Sequence, residues 1–293
     1  MSLARLAFML TASTGLMAGV MGAAQTSVAV ERTVYFTATT STGTHVSDVT
    51  ATDLVVTEGG RDRQILRVGR SQDRLKVCLA IDEGLSPDVV FRQAIFRFVQ
   101  QLQRSGDVAL YLLGRGNAKL VDYTSDATPF VKALNSLPVR AQGDASLVES
   151  VYDLARSQRL LEGRRAIVVL ATEIPQRSTV TANGVLDQLR DNGIVLYAST
   201  LVGPAGTVPA PTPDSPRLQV VEETERDRVL NDGTRQSGGL RLASLRLEGF
   251  PVTLDRIRDD LLHQYVMTYV VSAGSKSDGR LRITSKRKGI TVQ

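Results

Sequence analysis

Three short stretches place acids, hydroxyls and glycines at the ends of apolar runs: Asp82-Glu83-Gly84-Leu85-Ser86, Gln142-Gly143-Asp144-Ala145 and Thr172-Glu173-Ile174. Their acids and loop backbone offer a binding surface built from oxygen and amide groups. Imidazole and thiol chemistry is scarce by comparison. A single cysteine, Cys78, excludes an intramolecular disulfide and a Cys-rich zinc site, and two histidines, His45 and His263, leave little material for a histidine-built metal centre. No Gly-x-Ser-x-Gly elbow, Gly-x-Gly-x-x-Gly turn or phosphate-loop pattern occurs, which weighs against a serine hydrolase, a dinucleotide site and a nucleotide triphosphatase. Residues of a Ser–His–Asp set need only meet in space, so a hydrolase using Ser86 with His263 or His45 stays open as an alternative.

These stretches matter only if the elements around them bring them together. Leu75–Ile81 is a compact apolar run that reads as a strand buried on both faces, and Asp107–Leu113, Lys119–Tyr123, Ala166–Ala171 and Ile194–Leu201 follow the same logic. Between them lie helix-period stripes. Val90, Phe91, Ala94, Ile95, Phe98, Val99 and Leu102 form one, with Ser86 read as N-cap and Pro87 as first helical residue. Phe130–Leu137 is read as a second helix. A third is capped by Asp144 and runs through Leu147, Val151, Leu154 and Ala155, and a fourth around Val185–Leu189 ends at Asn192-Gly193. Alternating strands and helices predict an α/β fold: a doubly wound, mostly parallel sheet with right-handed crossovers. In such sheets ligands bind outside the carboxyl ends of the strands, where the three stretches would meet.

Flanking this centre are two further regions. Residues 25–70 read as a β-rich segment with strands at Val34–Thr37, Asp53–Thr57 and Gln64–Val68, and Gly59-Gly60 suits a hairpin turn. Residues 71–202 hold the α/β domain, and 203–216 form a Pro-rich loop. Residues 217–293 form an extension that packs on the domain, with helices near Arg226–Arg235 and Thr253–His263, a turn at Gly238-Gly239, and strands at Tyr265–Ser272 and Arg280–Ser285. Tyr265 and Tyr269 share one strand face and are expected beneath the terminal helix.

Residues 1–24 combine Arg5, an apolar run from Leu6 to Met21 and small residues at Gly22-Ala23-Ala24, which reads as a secretory signal cut after Ala24, with an uncleaved anchor as the alternative. Its loss lowers the formal charge of +5 by one. The chain is therefore expected to be exported, periplasmic or extracellular, with no nucleic acid as partner and no internal membrane span. The cluster Lys286-Arg287-Lys288 reads as a solvated face.

Over nearly all of the chain after residue 24, the order of features resembles the von Willebrand factor type A family, in the form of secreted bacterial proteins with a short β-rich lead-in. The resemblance rests on Val46–Val56 with Glu58-Gly59-Gly60, on the three strand-end stretches, on Ser237-Gly238-Gly239, and on Leu261–Tyr269. The family implies a metal-ion-dependent adhesion site made of an Asp-x-Ser-x-Ser loop, a Thr and a later Asp. A hard cation there takes about six oxygens, one from the partner's carboxylate. Asp82 matches the first Asp and Ser86 the second Ser; Gly84 stands for the first Ser, Ala145 for the Thr and Glu173 for the last Asp. The resemblance thus implies a degenerate site: Asp82, Ser86 and Glu173 as metal ligands, with Gly84, Asp144 and Ala145 in the binding loops. Two readings stay open, a site holding Mg²⁺ or Mn²⁺ and a metal-free relic with no cofactor. The function implied is a non-enzymatic interaction module, for adhesion or scaffolding, whose partner is another exported or cell-surface protein. A structural envelope component is the remaining alternative, and the oligomeric state is open.

Overall fold

The computed structural model describes residues 29–85, 87–114, 116–137, 146–172, 178–202, 224–272 and 281–293. Its centre is a six-stranded sheet of β6 (Leu75–Asp82), β7 (Gly106–Leu113), β8 (Ala118–Thr124), β9 (Arg164–Thr172), β10 (Ile194–Leu201) and β11 (Arg241–Ser244). The order is β11-β10-β9-β6-β7-β8, and every pairing is parallel except β7 with β8.

The apolar runs are buried on both faces because alternate residues enter two separate cores. Leu75, Val77, Leu79 and Ile81 of β6 join α1 (Val89–Leu102), α2 (Thr128–Asn135) and α7 (Phe250–Leu262) on one face. Cys78 and Ala80 join α3 (Leu147–Ser157) and α4 (Ala182–Asp191) on the other. A helical run completes that second face: α5 (224–228), a π-helical stretch Val229–Gly233, and α6 (Thr234–Ser237). The sheet is therefore doubly wound, as expected. From β6 the chain winds outward through β7 to β8, then returns to β9 on β6's other side and continues to β10 and β11. The topological switch point lies between β6 and β9, and their carboxyl ends flank the crevice where this fold class binds ligands.

Several local expectations are corrected. The N-cap of α1 is Asp88, whose carboxylate accepts from Phe91 N at 2.7 Å. An N-cap side chain reaches the amide two or three residues on, and the buried stripe begins at Phe91, so Asp88 has the fitting spacing and Ser86 does not. The cap of α3 is likewise Ser146, accepting from Glu149 N at 3.3 Å, in place of Asp144. Strand β8, read as buried, is an antiparallel edge strand with much of its surface in solvent.

The largest difference concerns the ends of the chain. Strands β1 (Ala29–Phe36), β2 (Ala38–Thr40), β3 (Leu54–Glu58), β4 (Arg61–Asp62) and β5 (Ile65–Arg70) do not form a unit of their own. Gly59 and Gly60, both at positive φ, turn β3 into the two-residue β4, and β5 then departs to another sheet. β12 (Tyr265–Ser272) lies between β1 and β5, β13 (Leu281–Ser285) pairs with β3, and β14 (Ile290–Val292) pairs with β2. The first and last strands thus interleave in three small sheets that share one core. That core includes Phe36, Val46, Leu54, Val56, Tyr265, Met267, Tyr269 and Val271. Tyr265 and Tyr269 do share a face, but they pack in this core rather than beneath α7; Tyr265 stacks on Phe36 at 5.3 Å. Helix α7 instead lies on the central sheet beside α1, with Phe250 edge-on to Phe91 at 5.0 Å.

Candidate functional site

Asp82 is the last residue of β6 and Thr172 the last of β9, so the two strands that flank the switch point end in a carboxylate and a hydroxyl. Strand pairing carries both to the carboxyl edge. Asp82 is 3 % exposed, yet every part of its carboxylate is engaged. Oδ1 accepts from Gly84 N at 2.9 Å, and Oδ2 accepts from Thr172 N at 3.2 Å and from Thr172 Oγ1 at 3.0 Å. Three donors offset the cost of burying a charge, which would otherwise be several kcal/mol.

Gly84 is part of the same closure. A Cβ at this position would stand 3.0 Å from Thr172 Oγ1 and 3.2 Å from Asp82 Oδ1, closer than side chains ordinarily approach. The missing serine of the Asp-x-Ser-x-Ser pattern is therefore matched by a neighbour that occupies its space. Thr172, which the sequence offered only as the residue before Glu173, is the group that holds Asp82. A cation also arrives from within the chain. Arg226 on α5 is 5 % exposed and donates to the Thr172 carbonyl.

Of the residues expected at this site, the structure brings Asp82 and Gly84 together. Ser86, Asp144, Ala145 and Glu173 lie outside the described residues. Among the described residues no group of three or more His, Cys, Asp or Glu is arranged to hold a metal. A metal bound directly by Asp82 would compete with three hydrogen bonds for the carboxylate, and Oδ1, with its single donor, is the oxygen left to meet it. The described part of the site does not fit a metal cage.

The histidines do not reach this edge. Helix α7 runs back across the sheet, and its end is tied to the start of β9: Arg164 Nη1 donates to Leu261 O at 2.9 Å and to Gln264 Oε1 at 3.1 Å. The eight residue steps of β9 from Arg164 to Thr172 separate His263 from the Asp82 edge by about 26 Å. His45 stacks on His263 with ring centroids 4.7 Å apart and planes 7° apart, so both histidines belong to the amino edge. An imidazole at the carboxyl edge, which the hydrolase reading needs, is not supplied by either. Cys78 is fully buried in β6, and burial pushes its thiol far up, away from the reactive thiolate.

The exposed apolar side chains have a pattern of their own. Val89 and Val90 open α1, Val252 lies in the first turn of α7, and Leu245 follows β11; they are 64 %, 42 %, 72 % and 76 % exposed. All stand at the carboxyl edge, and the Phe91–Phe250 contact holds the two helix starts side by side.

No protein-family model matches this sequence, and no curated protein matches it either. Among solved structures, an aerotolerance-related membrane protein from Bacteroides fragilis NCTC 9343 is 19 % identical over 63 % of this chain and 98 % of its own, with a TM-score of 0.41. BatB, a conserved hypothetical protein from Bacteroides thetaiotaomicron, is 17 % identical over 64 % and 98 %, with a TM-score of 0.44. Proximal thread matrix protein 1 from the mussel byssus is 9 % identical over 73 % and 50 %, also with a TM-score of 0.44. Among the described residues no helix is long and apolar enough to cross a membrane.

Proposed function

We propose that this chain is an exported, non-enzymatic protein–protein interaction module of the von Willebrand type A kind, which binds another exported or cell-surface protein through its carboxyl edge and without a metal. The observation that carries the reading is the gathering of Val89, Val90, Leu245 and Val252 in solvent at the edge that also holds the switch point. Exposed apolar side chains at the edge that holds a fold's ligand crevice suit contact with a protein partner. The metal-free part of the reading is supported by the Asp82 carboxylate, whose two oxygens already accept three hydrogen bonds from Thr172 and Gly84. Asp144 and Glu173 would add acidic groups to the contact surface.

Photo-crosslinkers placed at Val89 and Val252, with one at Leu160 as control, test this in cells that make the protein. Leu160 is 84 % exposed but precedes β9, at the opposite edge. The expected result is a discrete crosslinked partner from 89 and 252, lost on Leu245→Asp, and none from 160. Equal crosslinking from all three positions, or from 160 alone, would refute the assignment.

A further inference from the structure

The amino edge of the central sheet carries a cleft of about 480 Å³ whose walls are dominated by arginine. Each arrives from a different place in the sequence. Arg70 ends β5, Arg74 precedes β6, Arg104 precedes β7 and Arg164 begins β9, so parallel pairing of β6, β7 and β9 collects at their starts the charges that the sequence scatters. Lys76 stands one turn of the pleat beyond Arg74. Against these five cations are two carboxylates. Asp107 is shared, accepting from Arg74 at 2.7 Å and from Lys76 at 2.5 Å. Asp73 accepts from the Tyr35 hydroxyl at 2.7 Å.

Arg164 is the informative member. It is 6 % exposed and donates only to neutral acceptors: Asp73 O at 2.9 Å, Leu261 O at 2.9 Å and Gln264 Oε1 at 3.1 Å. Among the described residues it has no ion pair, and burial holds its guanidinium below its usual range. The Asp73 carboxylate opposes that fall from nearby without pairing to Arg164 directly, so an anion in the cleft would supply the direct counter-charge that the buried guanidinium lacks. The surroundings are fixed in advance. Arg70 donates to His263 O at 3.1 Å and lies over the Tyr265 ring at 4.9 Å, which holds its fork in place. Arg104 is exposed at the mouth and has no partner among the described residues, so it is free to close on a ligand.

We propose that this cleft is an oxyanion site for a phosphate group, bound by Arg70, Arg104 and Arg164. Planar guanidinium forks match tetrahedral oxyanions in bidentate fashion, and the local surplus of positive charge suits a dianion better than a single carboxylate. The same chemistry is offered by a free phosphorylated compound and by the headgroup of an anionic lipid.

Titration of the purified chain with inorganic phosphate, by calorimetry and by the Nε–H resonances of the arginines, reads the site directly. Saturable binding is expected, with sulfate competing, acetate much weaker, and Arg104→Ala and Arg70→Ala each weakening phosphate about tenfold. Arg104→Ala should leave the thermal midpoint unchanged, so its effect is not one of folding. A second arm sediments the chain with phosphatidylcholine vesicles, with or without phosphatidylglycerol. Co-sedimentation that needs phosphatidylglycerol and is lost with Arg104→Ala assigns the phosphate to a lipid headgroup; phosphate binding without co-sedimentation assigns it to a soluble ligand. No saturable phosphate binding, equal affinity for acetate, or indifference to both substitutions overturns the proposal.

Discussion

The two edges of the central sheet treat their buried charges in opposite ways. At the carboxyl edge, Asp82 is surrounded by donors from Thr172 and Gly84, and Arg226 is bound to the Thr172 carbonyl. At the amino edge, about 26 Å along β9, Arg164 has only neutral acceptors, and both ring nitrogens of His45 are buried without a partner. At the edge where this fold class ordinarily binds ligands, the buried Asp82 is tied into the scaffold while Val89, Leu245 and Val252 stand in solvent. The edge that is usually structural holds, among the described residues, a guanidinium with no direct ion pair and an imidazole with no hydrogen bond. Residue types alone point only to the carboxyl edge, because the acids and hydroxyls cluster in sequence and the arginines do not.

The comparison is broken most directly at Asp82. Asp82→Ala leaves two amides and a hydroxyl without an acceptor in a buried setting, and is expected to cost about 3 kcal/mol in urea unfolding with EDTA present. Asp82→Asn, which keeps an acceptor oxygen, should cost about half of that. An unchanged midpoint for Asp82→Ala would mean that the carboxylate serves a ligand and not the fold. Gly84→Ser is the second and smaller step. Its Cβ must push Thr172 or Asp82 aside, so a loss of about 1 kcal/mol is expected, although the substitution restores a hydroxyl of the adhesion-site pattern. A gain in stability would show that the crevice has room that the Thr172 contacts do not suggest.

These two residues also show what could be read without coordinates. The strands β6, β7, β9 and β10 were legible because burial on both faces demands unbroken apolar runs, and Leu75–Ile81 or Ala166–Ala171 can satisfy that in no other way. Asp82 and Gly84 were legible as a strand-end pair. Thr172 was not, because its role depends on β6 and β9 being neighbours across a 90-residue separation. Helix caps were misplaced for a local reason: Ser86 and Asp88, or Asp144 and Ser146, offer nearly equal side chains two residues apart, and only the stripe's first buried residue decides. Pairings such as Ala29 with Ser272 leave no trace in either segment, since each reads simply as a strand. The arginine cleft was invisible because four chain segments contribute to it.

Protonation sharpens the amino-edge side. Burial, His263, Arg256 and Arg70 push His45 down from 6.5 to about 4, with Asp259 opposing, so the folded chain resists a proton that the unfolded chain accepts. The stability that depends on neutral His45 is complete above pH 6.5 and is lost as the pH falls from about 6.5 to about 4. His45→Phe keeps a ring against His263 and removes the titration. Its urea midpoint should therefore fall less steeply than the wild type's between those pH values. Parallel slopes would mean that the stacked pair is already solvated.

The smallest expected effect is none at all, and it bears on the carboxyl edge most sharply. A ligand at 100 times its dissociation constant stabilises the folded state by about 2.7 kcal/mol, which appears as several degrees in a thermal midpoint. Mg²⁺, Mn²⁺ and EDTA are expected to give the same midpoint, because a cation at Asp82 would compete with three hydrogen bonds for the carboxylate and would gain no hydroxyl from position 84 or 145. A rise with Mg²⁺ or Mn²⁺ that Glu173→Ala abolishes would reverse the reading. It would mean that the Asp82–Thr172 contact opens to admit the ion, and that adhesion through a partner's carboxylate is the mechanism of this edge after all.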